Sequence, residues 1–249
     1  MRDGLKPFNE LLNADERNLH FVRLNLSTNE VKPNSMEAHY ADIEAYSLIA
    51  TVPDNIAVQY DVARNIYNYA WFEYRFFNVA EAQVLIVLEL ALKEHIGEKN
   101  INAYIKQHNG NICPDTGKKI NRQKGLKTYM EYCRDNELVS NSGFSAWHRY
   151  PTQQARMMAE QAQFAWATAE MERTGKAEVE LPDIIIEKLL PDESYNHVQH
   201  LINNVNHIRN GYAHGNTNLY NYVLQTFEMV SEFINQLHSS ANSYEHPIT

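Results

Sequence analysis

From Ile56 to Ile96 the chain carries neither proline nor glycine. A sheet-rich fold is cut by turns at intervals of about eight to twelve residues, and turns draw heavily on those two residue types. A run this long without them is built for helix. The scarcity is general, since nine Gly and eight Pro supply only 17 of 249 residues, roughly 7% where about 12% is usual. Within the run Val84, Leu85, Leu88, Leu92 and Ile96 recur at steps of three and four and stop at Gly97. That spacing lines one helix face, and glycine ends helices well because it tolerates positive φ. Pro53-Asp54 opens the run with a carboxylate able to accept from free backbone N–H groups. The stretch predicts one long helix or two in tandem.

Weaker patterns follow the same period. Leu126, Tyr129, Met130 and Cys133 predict a short helix. Ala155 to Glu172, rich in Ala, Gln and Met, predicts a strong one closed by Thr174-Gly175. Leu181 to Leu190, an apolar stretch marked by Pro182 and Pro191, predicts a short packing helix. Val198, Leu201, Ile202, Val205 and Ile208 form another stripe, interrupted by Gly211 and Gly215, and a last helix is expected from about Leu219 to Leu237. No six-residue strand with clean alternation and no internal repeat is found. The expected fold is all-α, an antiparallel helical bundle. Residues 1–53, which lack a sustained period, form an N-terminal extension, 54–240 the helical domain and 241–249 a tail.

Composition narrows the function classes. Lys and Arg number 22 against 31 Asp and Glu, a net charge of −9, which disfavours broad attraction to nucleic acid or anionic membranes while leaving room for a local phosphate site. Two cysteines, Cys113 and Cys133, are too few for a disulfide framework and point to a reducing compartment. The opening MRDGLKPFNELLNADER has charges throughout and no apolar h-region, so a cytoplasmic protein with no membrane segment is expected.

The chemically informative segment is Ser194 to Phe227. Its 34 residues hold one formal charge, Arg209, among eight Asn and four His. A solvated helix face normally carries Glu and Lys, so this surface reads as buried-polar or interfacial. Arg209 has no carboxylate in local reach, and a phosphate fits its planar fork. On spacing alone Arg209 is a cation near a helix C-terminus, and His214 a loop histidine with a backbone partner.

The string Ile208-Arg209-Asn210-Gly211-Tyr212-Ala213-His214-Gly215 resembles the signature of the HEPN superfamily, an Arg and a polar residue followed by a His four to six intervening residues later. The order of elements resembles it too: the Val84 to Gly97 helix with LKEHIGE at its end, the helix around Leu126 to Asn136, and the motif before a final amphipathic helix. The likeness covers roughly residues 70–240. It implies a HEPN-type helical bundle that dimerises around paired motifs, and an endoribonuclease that works without metal or cofactor and uses the RNA 2′-OH as nucleophile. In that role His214, with an unperturbed pKa of about 6.5, moves the proton, Arg209 holds the phosphate and Asn210 orients substrate or histidine. Residues five apart in a regular helix differ by roughly 140° in direction. A break at Gly211, or a second protomer, is therefore needed to complete the site. One toxin branch carries a Tyr two residues after the His, and here that position is Asn216.

The loop from Cys113 to Lys127 holds five cations, Lys118, Lys119, Arg122, Lys124 and Lys127, against Asp115 alone. Lys118, Lys119, Arg122 and Lys124 are the candidates for RNA-backbone binding. The loop is not a phosphate-binding P-loop, because Lys119 stands where Ser or Thr is required. His200, His207 and His214 recur every seven residues, about 10.5 Å of helical rise and too far for one metal ion. No metal site is expected. The resemblance also admits a toxin or phage-defence effector with an antitoxin or regulatory protein as partner. The alternative is a noncatalytic HEPN-type interaction module that binds a protein or a nucleotide.

Overall fold

The structure is a computed structural model that describes residues 4–25, 28, 30–112, 117–213 and 221–239, with only the backbone of 206, 207 and 209–213. Among the described residues there are nine α-helices and one two-stranded antiparallel sheet. No helix among them is long and apolar enough to cross a membrane. The chain divides into two compact units, residues 1–139 with 199–249, and residues 140–198.

The first unit is organised around the glycine-free run. It becomes two helices, α3 (Asp54–Tyr69) and α4 (Phe76–Ile96), antiparallel across a short turn, as Asn55 on Glu94 at one end and Tyr67 against Phe77 at the other require. The stripe Val84, Leu85, Leu88, Leu92 and Ile96 is buried throughout. Each such side chain contributes roughly 1.5–3 kcal/mol of hydrophobic stabilisation. The last helix, α9 (Leu224–His238), lays Phe227, Val230, Phe233, Ile234 and Leu237 on α4. It starts five residues later than the pattern implied. It also runs parallel to α4, with Thr226 beside Glu81 and His238 beside His95, so the bundle is not uniformly antiparallel. The long crossover between these two helices permits a parallel pair that short loops would forbid.

Gly97, at φ 76°, ends α4 and lets α5 (Glu98–His108) begin at once in a new direction. α6 (Leu126–Asp135) follows with Leu126, Tyr129, Met130 and Cys133 buried, as its pattern predicts. Burial pushes the Cys133 thiol well above its ordinary pKa, so this cysteine packs as a small hydrophobe.

Residues 4–53 hold more structure than the sequence pattern indicates. Asp15 caps α1 (Glu16–Leu19), strands β1 (Val22–Asn25) and β2 (Glu30–Pro33) pair in register, and Ser35 caps α2 (Met36–Glu44). Asn18 donates to the carbonyls of Ala70 and Trp71, and Asp15 accepts from the Tyr74 amide. These bonds fasten the segment to the α3–α4 turn. Four-residue strands that are almost wholly exposed have no buried face to write an alternating pattern, which is why the hairpin is silent in the sequence.

The second unit consists of α7 (Ser145–Thr174) and an extended segment. α7 starts ten residues before the predicted Ala155, runs through Pro151 and ends at Gly175 in the left-handed region. The expected packing helix at Leu181 to Leu190 is absent. Residues 176–196 contain no helix, and Leu181, Ile185, Leu189 and Leu190 are exposed. Three consecutive β-branched residues, Ile184 to Ile186, between prolines favour extended backbone when no partner buries them. Trp147 is buried in this unit and donates to the Tyr195 carbonyl at 3.1 Å.

Helix α8 (His197–Ala213) begins in the second unit and continues into the first. Val198, Ile202 and Val205 are buried. The helix passes through Gly211 without the expected interruption. A glycine costs about 1 kcal/mol relative to alanine inside a helix, too little to break one that buries such a stripe.

Candidate functional site

The candidate chemistry lies, by sequence, around the far end of α8 and, by geometry, in a cleft beside the N-terminal hairpin. Arg209 and Asn210 fall near the C-terminal end of α8, and their side chains lie outside the described residues. His214 lies outside them altogether, one position beyond Ala213, the last described residue of α8. Because α8 is continuous through Gly211, a break there does not bring Arg209 and His214 together.

The start of α8 is tied to α6 by a chain of polar contacts. The Tyr104 hydroxyl donates to Asp135 at 2.5 Å, Arg134 donates to Asp135 at 2.7 Å, and Arg134 also donates to Gln199 of α8. These bonds fix where α8 leaves α6, and so where its far end is carried.

The cationic loop is less available than its composition implies. Arg122 donates to Glu131 at 2.6 Å, with both side chains largely buried, and its guanidinium lies over the Tyr104 ring at 5.0 Å. Burial works against its charge, but the Glu131 carboxylate outweighs that and raises its pKa. Asn109 clamps the same residue by accepting from its amide and donating to its carbonyl. Lys124 pairs with Glu98. Lys118 and Lys119 are exposed beside the bridge that pairs Ile112 with Lys119. The local excess of charge counted on the loop is thus partly cancelled by Glu98 and Glu131, which flank it in sequence.

The cleft was not visible in the sequence. It encloses about 440 Å³ and is bounded by the hairpin, α2, α3, α4 and the start of α9. Its floor is aromatic. His39 stacks on Tyr67 with centroids 4.4 Å apart, Phe77 meets both rings edge-on, and Phe21 stacks on Tyr74 at 6.3 Å. Its wall is polar: Arg23 makes a two-pronged contact with Asp42 and donates from Nε to Asn34 at 2.7 Å. Hydrogen bonding to Asp42 raises the Arg23 pKa. Burial lowers that of His39, although its Nε2 stands 2.9 Å from the Tyr67 carbonyl. Burial, with the Asp42 charge, pushes the Tyr67 phenol up. Asn221, Tyr222, Leu224 and Gln225 close the rim, and Tyr222 is 78% exposed.

The cleft draws on four distant segments, and of the aromatic run Trp71 to Phe77 only Phe77 lines it. Phe77 and Trp71 are buried as core residues, whereas Phe76 is 40% exposed. In comparisons with known proteins, no family model, no curated protein and no solved structure matches this chain.

Proposed function

We propose that this protein is an RNA-cleaving enzyme of HEPN type in which Arg209, Asn210 and His214 act on the scissile phosphate without a metal ion. The observation that carries the reading is the Arg209-Asn210-x-x-x-His214 string in a 34-residue segment with no other formal charge. The predominantly helical architecture, with an amphipathic helix after the motif, is compatible with it.

The chemistry follows from the residue types. The RNA 2′-OH attacks phosphorus, the P–O2′ bond forms and the P–O5′ bond breaks. His214 takes the 2′-OH proton or supplies one to the departing 5′ oxygen, and Arg209 offsets the charge that develops on the phosphoryl oxygens. The products are a 2′,3′-cyclic phosphate, open to hydrolysis to a 3′-phosphate, and a 5′-hydroxyl. A homodimer that buries the charge-poor segment would place two motifs around one groove, in line with the depletion of charge at interface centres. A toxin or phage-defence role, with a neutralising protein as partner, belongs to the same reading.

A noncatalytic interaction module is the second reading. It draws support from the net charge of −9 and from the pairing of Arg122 and Lys124 with carboxylates, which leaves fewer loop cations for an RNA backbone. Incubating the purified chain with single-stranded RNA in EDTA separates the two. Cleavage leaving cyclic-phosphate or 3′-phosphate ends is the outcome of the first, and intact RNA at high protein concentration that of the second.

A further inference from the structure

We infer that the cleft formed by the hairpin, α2, α3, α4 and the start of α9 binds a single unstacked nucleobase of an RNA strand. This rests on the RNA-cleaving reading for its substrate class, and on the cleft's own geometry for the rest.

Three features select a flat, neutral, hydrogen-bonding ligand. The floor is aromatic, with the half-buried Phe21 beside the buried Tyr67 and Phe77, an apolar lining that suits a flat ring. Among the described residues the one cation of the wall is matched by a carboxylate, since Arg23 grips Asp42 with both terminal nitrogens. A phosphate entering here would meet Asp42 as well as Arg23, so the site does not favour an anion. What remains is a mixture of donors and acceptors. The guanidinium has five N–H groups, of which these bonds and the one to Asn34 use three. Asn34, Asn221 and Gln225 add carboxamides, the side chains that pair with base edges in nucleic-acid recognition.

The rim supplies the fourth feature. Tyr222 is 78% exposed at the cleft mouth, in a position to close over a base held against the floor. A volume of about 440 Å³ lies within the range of about 300–1,000 Å³ that holds small ligands, enough for a base with its ribose. Asn221 follows His214 by seven residues, a chain length of at most about 25 Å. The proposed proton-transfer group and the cleft can therefore serve one RNA strand.

The test uses the full chain and free nucleosides, so that it does not depend on cleavage. Saturation-transfer NMR with adenosine, guanosine, cytidine and uridine is expected to show binding of at least one. Tyr222→Ala should weaken it about tenfold, within the range for losing one base–aromatic stack, with an unchanged melting temperature because the ring is exposed. Asn34→Ala should also weaken it, and inorganic phosphate should not compete. Binding of no nucleoside, binding that Tyr222→Ala leaves unaltered, or competition by phosphate would overturn the proposal. If RNA is cleaved while nucleosides fail to bind, the cleft assignment falls and the cleavage reading stands. If nucleosides bind through Tyr222 and no RNA is cut, the cleft keeps its ligand and the cleavage reading falls.

Discussion

Helices α4 and α7 are the two longest among the described residues and hold together for opposite reasons. α4 buries ten of its 21 residues, and α7 buries two of its 30. The sequence of α4 includes Val84, Ile86 and Val87, β-branched residues that gain little from helix formation alone. It is a helix because α3, α6 and α9 cover it. α7 has seven alanines with Gln, Met and Glu between them, a composition that favours helix without help, and it leaves Met158, Phe164 and Trp166 exposed. Burial thus makes the first unit a framework able to position a site, while the second relies on local propensity.

The sharpest challenge to this contrast is to empty the core. Leu88 is fully buried in α4, so Leu88→Ala should cost about 2–5 kcal/mol of unfolding free energy, the usual range for a buried leucine. Chemical denaturation followed by the fluorescence of Trp71, with Trp147 and Trp166 replaced by phenylalanine, reports this unit alone. A loss below about 1 kcal/mol would mean that α4 does not depend on its packing.

Acid should also find the first unit. Burial, opposed by hydrogen bonds from the Arg17 side chain and the Tyr74 and Arg17 amides, leaves Asp15 held down at about 2. Its carboxylate therefore contributes stability above the unfolded value near 3.9, and that contribution, about 2 kcal/mol, disappears as pH falls from about 4 towards 2. His39, His95 and His238 have pKa values lowered by burial, His95 also by His238. The folded state resists protonating them while the unfolded chain accepts protons near pH 6.5, so stability is full above that value and declines as pH drops through it. Melting temperature measured from pH 8 to pH 5 should fall steadily, and His39→Gln should flatten the slope. A melting temperature that rises on acidification would contradict the assignment.

Smaller effects belong to α7. Ala162 is exposed, and Ala162→Gly should remove about 1 kcal/mol of helix stability, seen as faster amide exchange along α7 and none along α4. Trp166→Ala should change unfolding by no more than about 0.5 kcal/mol, as surface substitutions do. A large loss would show that the ring has a partner.

The same contrast explains what the sequence alone reveals. The stripes of α4, α6 and α9 were legible because one-sided burial writes a period of 3.6 into the chain, and Leu88, Met130 and Phe233 are each buried where that period puts them. α5 was not, because only Ile101 and Tyr104 are buried there. Leu181 to Leu190 misled for the converse reason, being apolar without a face to cover. At the sites, Arg209 and its neighbours could be singled out because a charge-poor stretch is visible residue by residue. The partners of Arg122 and Lys124 could not, since Glu131 and Glu98 lie outside the loop. The cleft is legible only in three dimensions, because Arg23, Asp42, Phe77 and Tyr222 are far apart in sequence.

The proposed chemistry turns on one histidine. Single-stranded RNA incubated in EDTA with the wild-type chain and with His214→Ala puts that histidine to the test, with circular dichroism to confirm that both are folded. The wild type should cleave and leave cyclic-phosphate or 3′-phosphate ends, and His214→Ala should be slower by about 100-fold or more, the usual worth of a general acid or base. No cleavage by the wild type, or equal cleavage by the folded variant, would contradict the assignment of His214 as the proton-transfer group of a ribonuclease.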